Sequence, residues 1–334
     1  MKVGFIGSGL QGRRRIPILK NFPETDLVMI ASVHSKTANT LAKTVSCEVT
    51  NNWKDVIERD DIDAVVVATP PNLHAQISIE AMKNGKHILC EKPLTRTLKE
   101  AEEMIKASKK YNVTLKCGFN HRFHPAIQQA WEWVQKGVIG KLYYIHGRYG
   151  MCGRKGYEKE WRCNPEIVAG GQLMEQGIHL IDLSRWFLGD ISDVAGYTNT
   201  YFWDMKPLED NAFALLHTKQ GQIASIHSSL TQWKNLFSFE ITGEKGYIAV
   251  EGIGGSYGNE QVDLLKRDFY KPFENKVIHY RGSDASWHWE WKDFIRAIKE
   301  KSEPLGTGQD GLEAMKIVFA IYESSEKKCK VMLK

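Results

Sequence analysis

Val3-Gly4-Phe5-Ile6-Gly7-Ser8-Gly9-Leu10-Gln11-Gly12 stands almost at the head of the 334-residue chain. An apolar run of strand character leads into G-x-G-x-x-G, and a helical pattern over Leu10–Asn21 follows. That context separates a dinucleotide fingerprint from a chance glycine spacing. The first glycine makes the turn, the second admits a pyrophosphate to the backbone, and the third packs helix on strand. The N–H groups of the helix start then face the phosphates. Gly7, Ser8, Gly9, Leu10, Gln11 and Gly12 are therefore candidate cofactor residues, against the alternative of a glycine turn without a ligand.

The same rhythm continues downstream. Leu27–Ala31, Ala64–Ala68, His87–Cys90 and Thr114–Cys117 read as further buried parallel strands. Helical stretches alternate with them at Thr37–Thr44, Trp53–Arg59, His74–Asn84 and Leu98–Tyr111. Thr97 before Glu100 predicts a capping box, Asn84-Gly85 a helix end, and Pro17 a bend in the first helix. This predicts an α/β fold with an N-terminal doubly wound parallel sheet. After about Asn120 the pattern changes. Helices are expected near Ala126–Lys136 and Ile178–Leu188, then alternating segments from Val194–Tyr201 to Val277–Tyr280, then helices near Trp287–Lys301 and Gly311–Lys327. The expectation is a Rossmann domain over 1–120 and an α+β domain over 121–334 with a large, mostly antiparallel open sheet.

Composition narrows the function classes. Hydrophobic residues make up 42% and charged residues 25%, enough for two ordinary cores. A net charge of +5 without a basic block or basic-aromatic stripe disfavours nucleic acid as a partner. No stretch has the apolar length of a membrane span, and Met1–Ile6 enters a strand without an apolar leader. Six cysteines without a C-x-x-C pair argue for reduced thiols, a cytoplasmic setting and no zinc site.

The second strand ends Ala31-Ser32-Val33-His34-Ser35-Lys36, with no acid to grip a ribose 2′-hydroxyl. Ser32, His34 and Lys36, with Arg13 or Arg14 nearby, suit a 2′-phosphate, so NADP is favoured over NAD; ordinary polar loop residues are the alternative. Ala68-Thr69-Pro70-Pro71-Asn72-Leu73-His74-Ala75 closes the next long strand, either against the nicotinamide half or as a rigid turn. Lys92, in His87-Ile88-Leu89-Cys90-Glu91-Lys92-Pro93, sits where a strand ends, and Pro93 turns the chain out of the sheet. An ammonium there can manage the proton that accompanies a hydride, although a solvated surface lysine has the same sequence appearance.

A second constellation is Gly170-Gly171-Gln172-Leu173-Met174-Glu175-Gln176-Gly177-Ile178-His179-Leu180-Ile181-Asp182. Helical spacing brings Glu175, His179 and Asp182 towards one face. A histidine flanked by carboxylates is held in one tautomer and can hydrogen-bond a sugar hydroxyl. A helix-start histidine satisfied by its neighbours is the bland alternative.

Taken in order, the Gly7–Gly12 turn, Ala68–Ala75, Glu91-Lys92-Pro93 and Gly170–Asp182 resemble the glucose–fructose oxidoreductase and inositol dehydrogenase family, Gfo/Idh/MocA. The resemblance covers essentially the whole chain. It implies an NAD- or NADP-dependent dehydrogenase of a sugar, cyclitol or sugar-nucleotide carbinol, and a homodimer or homotetramer built through the open sheet. It implies Lys92 in contact with cofactor and substrate and in proton transfer, His179 on the reacting hydroxyl, and Glu175 in support, both of the latter also facing substrate. Cofactor-facing positions would include Thr69, Pro70, Asn72, His74, Glu91, Asn120, Trp161 and Arg162. Arg122, Tyr149, Trp161 and Asp182 would line the substrate pocket, with Tyr157 and Lys159 as further loop candidates. Two positions depart from the family pattern: Glu175 replaces a frequent aspartate, and Gln172 a frequent glycine. An NAD-dependent glycosidase and a non-catalytic nucleotide sensor are the competing functions.

Overall fold

The computed structural model describes residues 1–271 and 275–333. In chain order the elements are β1 (Lys2–Ile6), α1 (Leu10–Lys20), β2 (Asp26–Ala31), α2 (Ser35–Val45), β3 (Glu48–Thr50), α3 (Lys54–Ile57), β4 (Ala64–Val67), α4 (His74–Lys83), β5 (His87–Glu91), α5 (Leu98–Lys110) and β6 (Leu115–Gly118). Then come α6 (Pro125–Gln135), β7 (Leu142–Cys152), α7 (Ile178–Leu188), β8 (Ile191–Asn199), β9 (Asn211–Thr218), β10 (Ile223–Ser229), β11 (Thr231–Gly243), β12 (Gly246–Glu251), β13 (Glu260–Lys266) and β14 (Asn275–Tyr280). The chain closes with α8 (Ser286–Glu300), α9 (Gly308–Lys327) and β15 (Val331–Met332).

Two compact units result. The first gathers Met1–Asn120, Glu166–Ala169 and Trp287–Leu312; the second gathers His121–Pro165, Gly170–Ser286 and Glu313–Lys334. A single cut at 120/121 thus misses that a C-terminal helix returns to the first unit. Its sheet has the order β3-β2-β1-β4-β5-β6, with every pair parallel. All four β4 residues are buried, as a strand covered on both faces requires. The predicted capping box forms: Glu100 N–H donates to Thr97 Oγ1 at 3.3 Å and Thr97 N–H to Glu100 Oε2 at 2.9 Å.

Helix α8 completes this core rather than the second one. Trp291, Phe294 and Ile295 pack with Val3, Phe5, Ile30, Val66 and Leu89. The indole N–H of Trp291 donates to Thr25 Oγ1 at 2.9 Å. Lys116, fully buried on β6, meets Asp293 of the same helix at 2.9 Å, so a charged residue in an apolar-looking strand has its partner.

The second unit holds nine strands in the order β14-β13-β12-β11-β7-β10-β9-β8-β15. Every pair is antiparallel except β10 with β7, so the sheet is mostly antiparallel as expected. Its central strand, β7, escaped the sequence reading. Gly147, Arg148 and Gly150 blur the alternation, and both glycines are closely packed: a Cβ on Gly147 would lie 3.1 Å from Leu180 Cδ2 of α7, and one on Gly150 2.7 Å from Gln232 Cβ. The three-residue β3 and two-residue β15 are too short to carry a periodic signal. Helix α3 is shorter than Trp53–Arg59, and Leu173–Gly177 winds as a π turn ahead of α7.

Trp291→Ala is expected to destabilise the protein by about 3–5 kcal/mol, read as a lower midpoint in urea denaturation; an unchanged midpoint would place α8 outside the core.

Candidate functional site

In the first unit, candidate residues gather at the carboxyl edge of the parallel sheet, where β1 and β4 are neighbours and the strand order reverses. Gly7 has φ +111° and its N–H donates to Ala31 O at 2.9 Å. A Cβ on Gly7 would sit 2.4 Å from the Ala68 carbonyl oxygen, and one on Gly12 would sit 2.7 Å from that of Gly7. Gly9, which starts α1, has no atom within 4 Å of its Cβ position, so the approach to the helix start is open. Buried Ser8 joins its hydroxyl to that of Ser32 at 2.7 Å, tying the glycine turn to the end of β2. Leu10 is half exposed. Gln11 Oε1 and Thr69 Oγ1 are buried with no protein hydrogen-bond partner. A cradle without side chains, an open helix start and orphaned acceptors fit a dinucleotide. His34 and Lys36 are exposed beyond β2, as are Arg13 and Arg14 on α1.

Next in the sheet, β5 ends at Glu91 and hands the chain to Lys92 and Pro93. His74 does not face outward. It is buried, with Nε2 2.8 Å from Thr69 O and Nδ1 3.0 Å from Pro93 O. Burial lowers its pKa while the carbonyls oppose that shift. The ring therefore ties the Thr69–Pro70 turn to the Lys92–Pro93 turn. Asn72 is exposed beside it, and Asn120 is buried where the first unit's main segment ends.

Glu91 is held by a buried guanidinium. Arg15 Nε donates to Glu91 Oε1 at 2.6 Å and its Nη1 to Glu290 Oε2 at 2.6 Å. All three side chains are at most 5% exposed, and Trp287 lies against Arg15 at 4.6 Å. Burial alone would depress the arginine pKa, and the two carboxylates more than reverse it. Burial raises the Glu290 pKa, opposed by Arg15. Neither Arg15 nor Glu290 was singled out from sequence; they are 275 positions apart, and no local pattern links them.

A separate set of candidate residues lies in the second unit. The rings of His121 and His179 stack at 3.7 Å and 18°, both buried. Arg122 grips Asp182 through two bonds of 2.8 and 2.6 Å and lies over Trp186 at 5.4 Å. Glu175 takes Arg162 Nε at 3.3 Å, and Arg162 stacks on Trp161 at 4.4 Å. Buried Tyr149 packs on His121 at 5.2 Å. Tyr157 is buried 5.7 Å from Trp203, and burial, then Glu175, raises its hydroxyl pKa; Lys159 stays on the same loop. Thus His179 stacks on His121 and Asp182 pairs with the next residue, Arg122, while Glu175 pairs with Arg162. The π turn that carries Glu175 is a form concentrated at functional sites. His121 went unrecognised because only its ring contact reveals it. Among the described residues no group of three His, Cys, Asp or Glu side chains is placed to hold a metal ion.

The profile described as oxidoreductase family, NAD-binding Rossmann fold, matches residues 1–119, and the Gfo/Idh/MocA C-terminal profile matches 127–249. The chain belongs to the Gfo/Idh/MocA oxidoreductase family. It is an NAD-binding oxidoreductase related to sugar and cyclitol dehydrogenases. Levoglucosan dehydrogenase of Pseudarthrobacter phenanthrenivorans is 27% identical, over 98% of this chain and 96% of its own. Myo-inositol 2-dehydrogenase of Thermotoga maritima is 28% identical, over 100% and 98%. A solved levoglucosan dehydrogenase in complex with NADH superposes at TM-score 0.91 with 25% identity, over 100% of this chain and 99% of that one.

Within this family member, Glu290→Ala leaves Arg15 buried with one carboxylate in place of two. The expected cost is about 3–5 kcal/mol in urea denaturation, and a loss below about 1 kcal/mol would show that Glu91 alone satisfies the guanidinium.

Proposed function

We propose that the protein transfers a hydride between a carbinol of a sugar, cyclitol or sugar nucleotide and a nicotinamide cofactor. Lys92 takes or returns the hydroxyl proton, His179 hydrogen-bonds that hydroxyl, and Glu175 supports the transfer. A bound nicotinamide supplies the hydride acceptor or donor at C4. The observation that carries this reading is the delivery of Lys92 from the end of β5, in the same sheet whose β1–α1 turn is cleared for a pyrophosphate. Buried His179, its ring held by stacking on His121, supports a role in orienting a hydroxyl. Arg122, Tyr149, Trp161 and Asp182 shape the carbohydrate pocket, while Thr69, Pro70, Asn72, Asn120, Trp161 and Arg162 serve the cofactor. The names of the relatives favour a dehydrogenase over a glycosidase or a sensor.

We further infer a preference for NADP. No acid follows β2, and exposed His34 and Lys36 offer hydrogen bonding and positive charge to a 2′-phosphate. Tyr144, Tyr197, Phe213, Leu215 and Ile223, 40–69% exposed, share one face of the large sheet with His146, His217 and His227, a mixed aromatic and polar surface that suits pairing with a second copy in a dimer or tetramer. No helix among the described residues is long and apolar enough to cross a membrane, and a cytoplasmic setting is consistent with thiols at Cys47, Cys90, Cys152, Cys163 and Cys329.

Levoglucosan, myo-inositol and scyllo-inositol, offered with NADP or NAD, are expected to include a substrate that raises the absorbance of reduced nicotinamide. Lys92→Ala lowers kcat about 10²–10⁴-fold and leaves cofactor affinity within about twofold; normal turnover in that variant rules out the proton role. His34→Asp is expected to move the NADP-to-NAD ratio of kcat/KM at least about tenfold towards NAD. A ratio that stays put removes the 2′-phosphate assignment.

A further inference from the structure

Gly170-Gly171 and a distant acid remain outside the site described above. Gly171 N–H donates to Glu209 Oε2 at 3.1 Å, Gln172 N–H to Glu209 O at 2.9 Å, and Leu173 N–H to Glu209 Oε1 at 2.8 Å. One residue, at least 36 positions away in sequence, thus takes three consecutive N–H groups at the start of the turn that leads into α7. These are groups a helix start cannot satisfy internally. The Tyr322 hydroxyl of α9 adds a fourth bond, to Oε1, at 3.0 Å. The glycines make room for both partners. A Cβ on Gly171 would lie 2.2 Å from Glu209 O and 2.6 Å from its Oε2, and one on Gly170 would lie 2.2 Å from the Tyr322 hydroxyl. The adjacent acid, Asp210, turns the other way and collects the N–H groups of Tyr201, Phe202 and Trp203.

We propose that Glu209, braced by Tyr322, is the positioning residue that sets the register and direction of the helix start carrying Glu175 and His179. It touches neither substrate nor cofactor and acts through the backbone of residues 171–173. The proposal rests on the assignment of Glu175 and His179 to the site. Around the carboxyl, the titratable neighbour is Tyr322 from α9, which burial keeps neutral; the helix start and Glu209's own loop present main-chain groups. Burial pushes the Glu209 pKa up to about 7, against the bonds from Leu173, Tyr322 and Gly171. Its ionised form accepts all of these donors, whereas protonation places a hydroxyl among N–H groups. Because the pKa is raised from its ordinary 4.5, ionisation weakens folding stability as pH rises from 4.5 through about 7. Over the same window it tightens the grip on the helix start.

Hydrogen–deuterium exchange on the full chain tests the grip without any ligand. Glu209→Gln keeps the shape but presents an amide N–H₂ to donors, so exchange at residues 171–176 should quicken at least about tenfold while β4 and β5 hold their protection. Unchanged exchange overturns the proposal. With the fastest carbohydrate of the levoglucosan and inositol panel, Glu209→Gln should lower kcat at least about tenfold and leave cofactor affinity within about twofold. An unchanged kcat overturns the positioning role. Tyr322→Phe removes the donor to Oε1 together with the hydroxyl's contacts to the Gly171 and Met174 amides, keeps the Glu209 bonds to residues 171–173, and covers the case of a Glu209 variant that does not fold. It raises the Glu209 pKa and should move the acid limb of the kcat profile to higher pH; a limb that stays in place overturns the coupling. Failure of the Lys92 assignment would show separately, as turnover surviving Lys92→Ala with the exchange result intact.

Discussion

A guanidinium almost out of water ties together three stretches of chain that are remote in sequence. Arg15 comes from the helix behind the glycine turn, Glu91 from the end of β5, and Glu290 from α8. A buried charge with no partner costs several kcal/mol, so wherever Arg15 goes, both carboxylates must follow. That requirement draws a C-terminal helix into the nucleotide-binding unit and fixes the residue next to Lys92. It also couples the glycine turn to the lysine through one rigid contact, since α1 begins at that turn. His74 adds a second tie between the same edge loops through the carbonyls of Thr69 and Pro93.

The second unit solves a comparable problem with backbone rather than charge. A π turn followed by an α-helix leaves several N–H groups facing inward, and buried N–H groups need acceptors. Glu209 and Asp210, neighbours in sequence, point opposite ways and each satisfies three successive amides. One of them thereby holds the segment that bears Glu175 and His179. Stacking of His121 on His179 and the paired bonds of Arg122 to Asp182 then leave the His179 and Asp182 side chains little freedom. Such preorganisation is what proton transfer at a fixed distance requires.

Much of this was legible in order along the chain. The glycine turn is visible because its geometry is local: Gly7 needs φ +111°, and Gly12 has no room for a Cβ. The parallel strands announce themselves as short apolar runs between helical repeats, and the Thr97 capping box is a three-residue pattern. Strand β7 was not legible because two glycines serve packing against neighbours and interrupt the alternation. His121, Arg15, Glu209 and Glu290 were not legible because their roles come from partners far away in sequence. His74 was read as facing a cofactor and is turned inward to two carbonyls, a distinction that only burial reveals.

By itself, then, the sequence determined the alternation of strand and helix, the dinucleotide turn and the family, and it supplied Lys92, Glu175 and His179 as the residues on which the proposed chemistry rests. These follow from interactions within a few positions of one another, or from motifs read in order. The tertiary structure decided which helix completes which core, which carboxylates share Arg15, and what holds the helix start at Gly171. Those outcomes depend on desolvation and hydrogen-bond satisfaction between segments tens to hundreds of residues apart, and such terms acquire a value only once the chain has closed on itself.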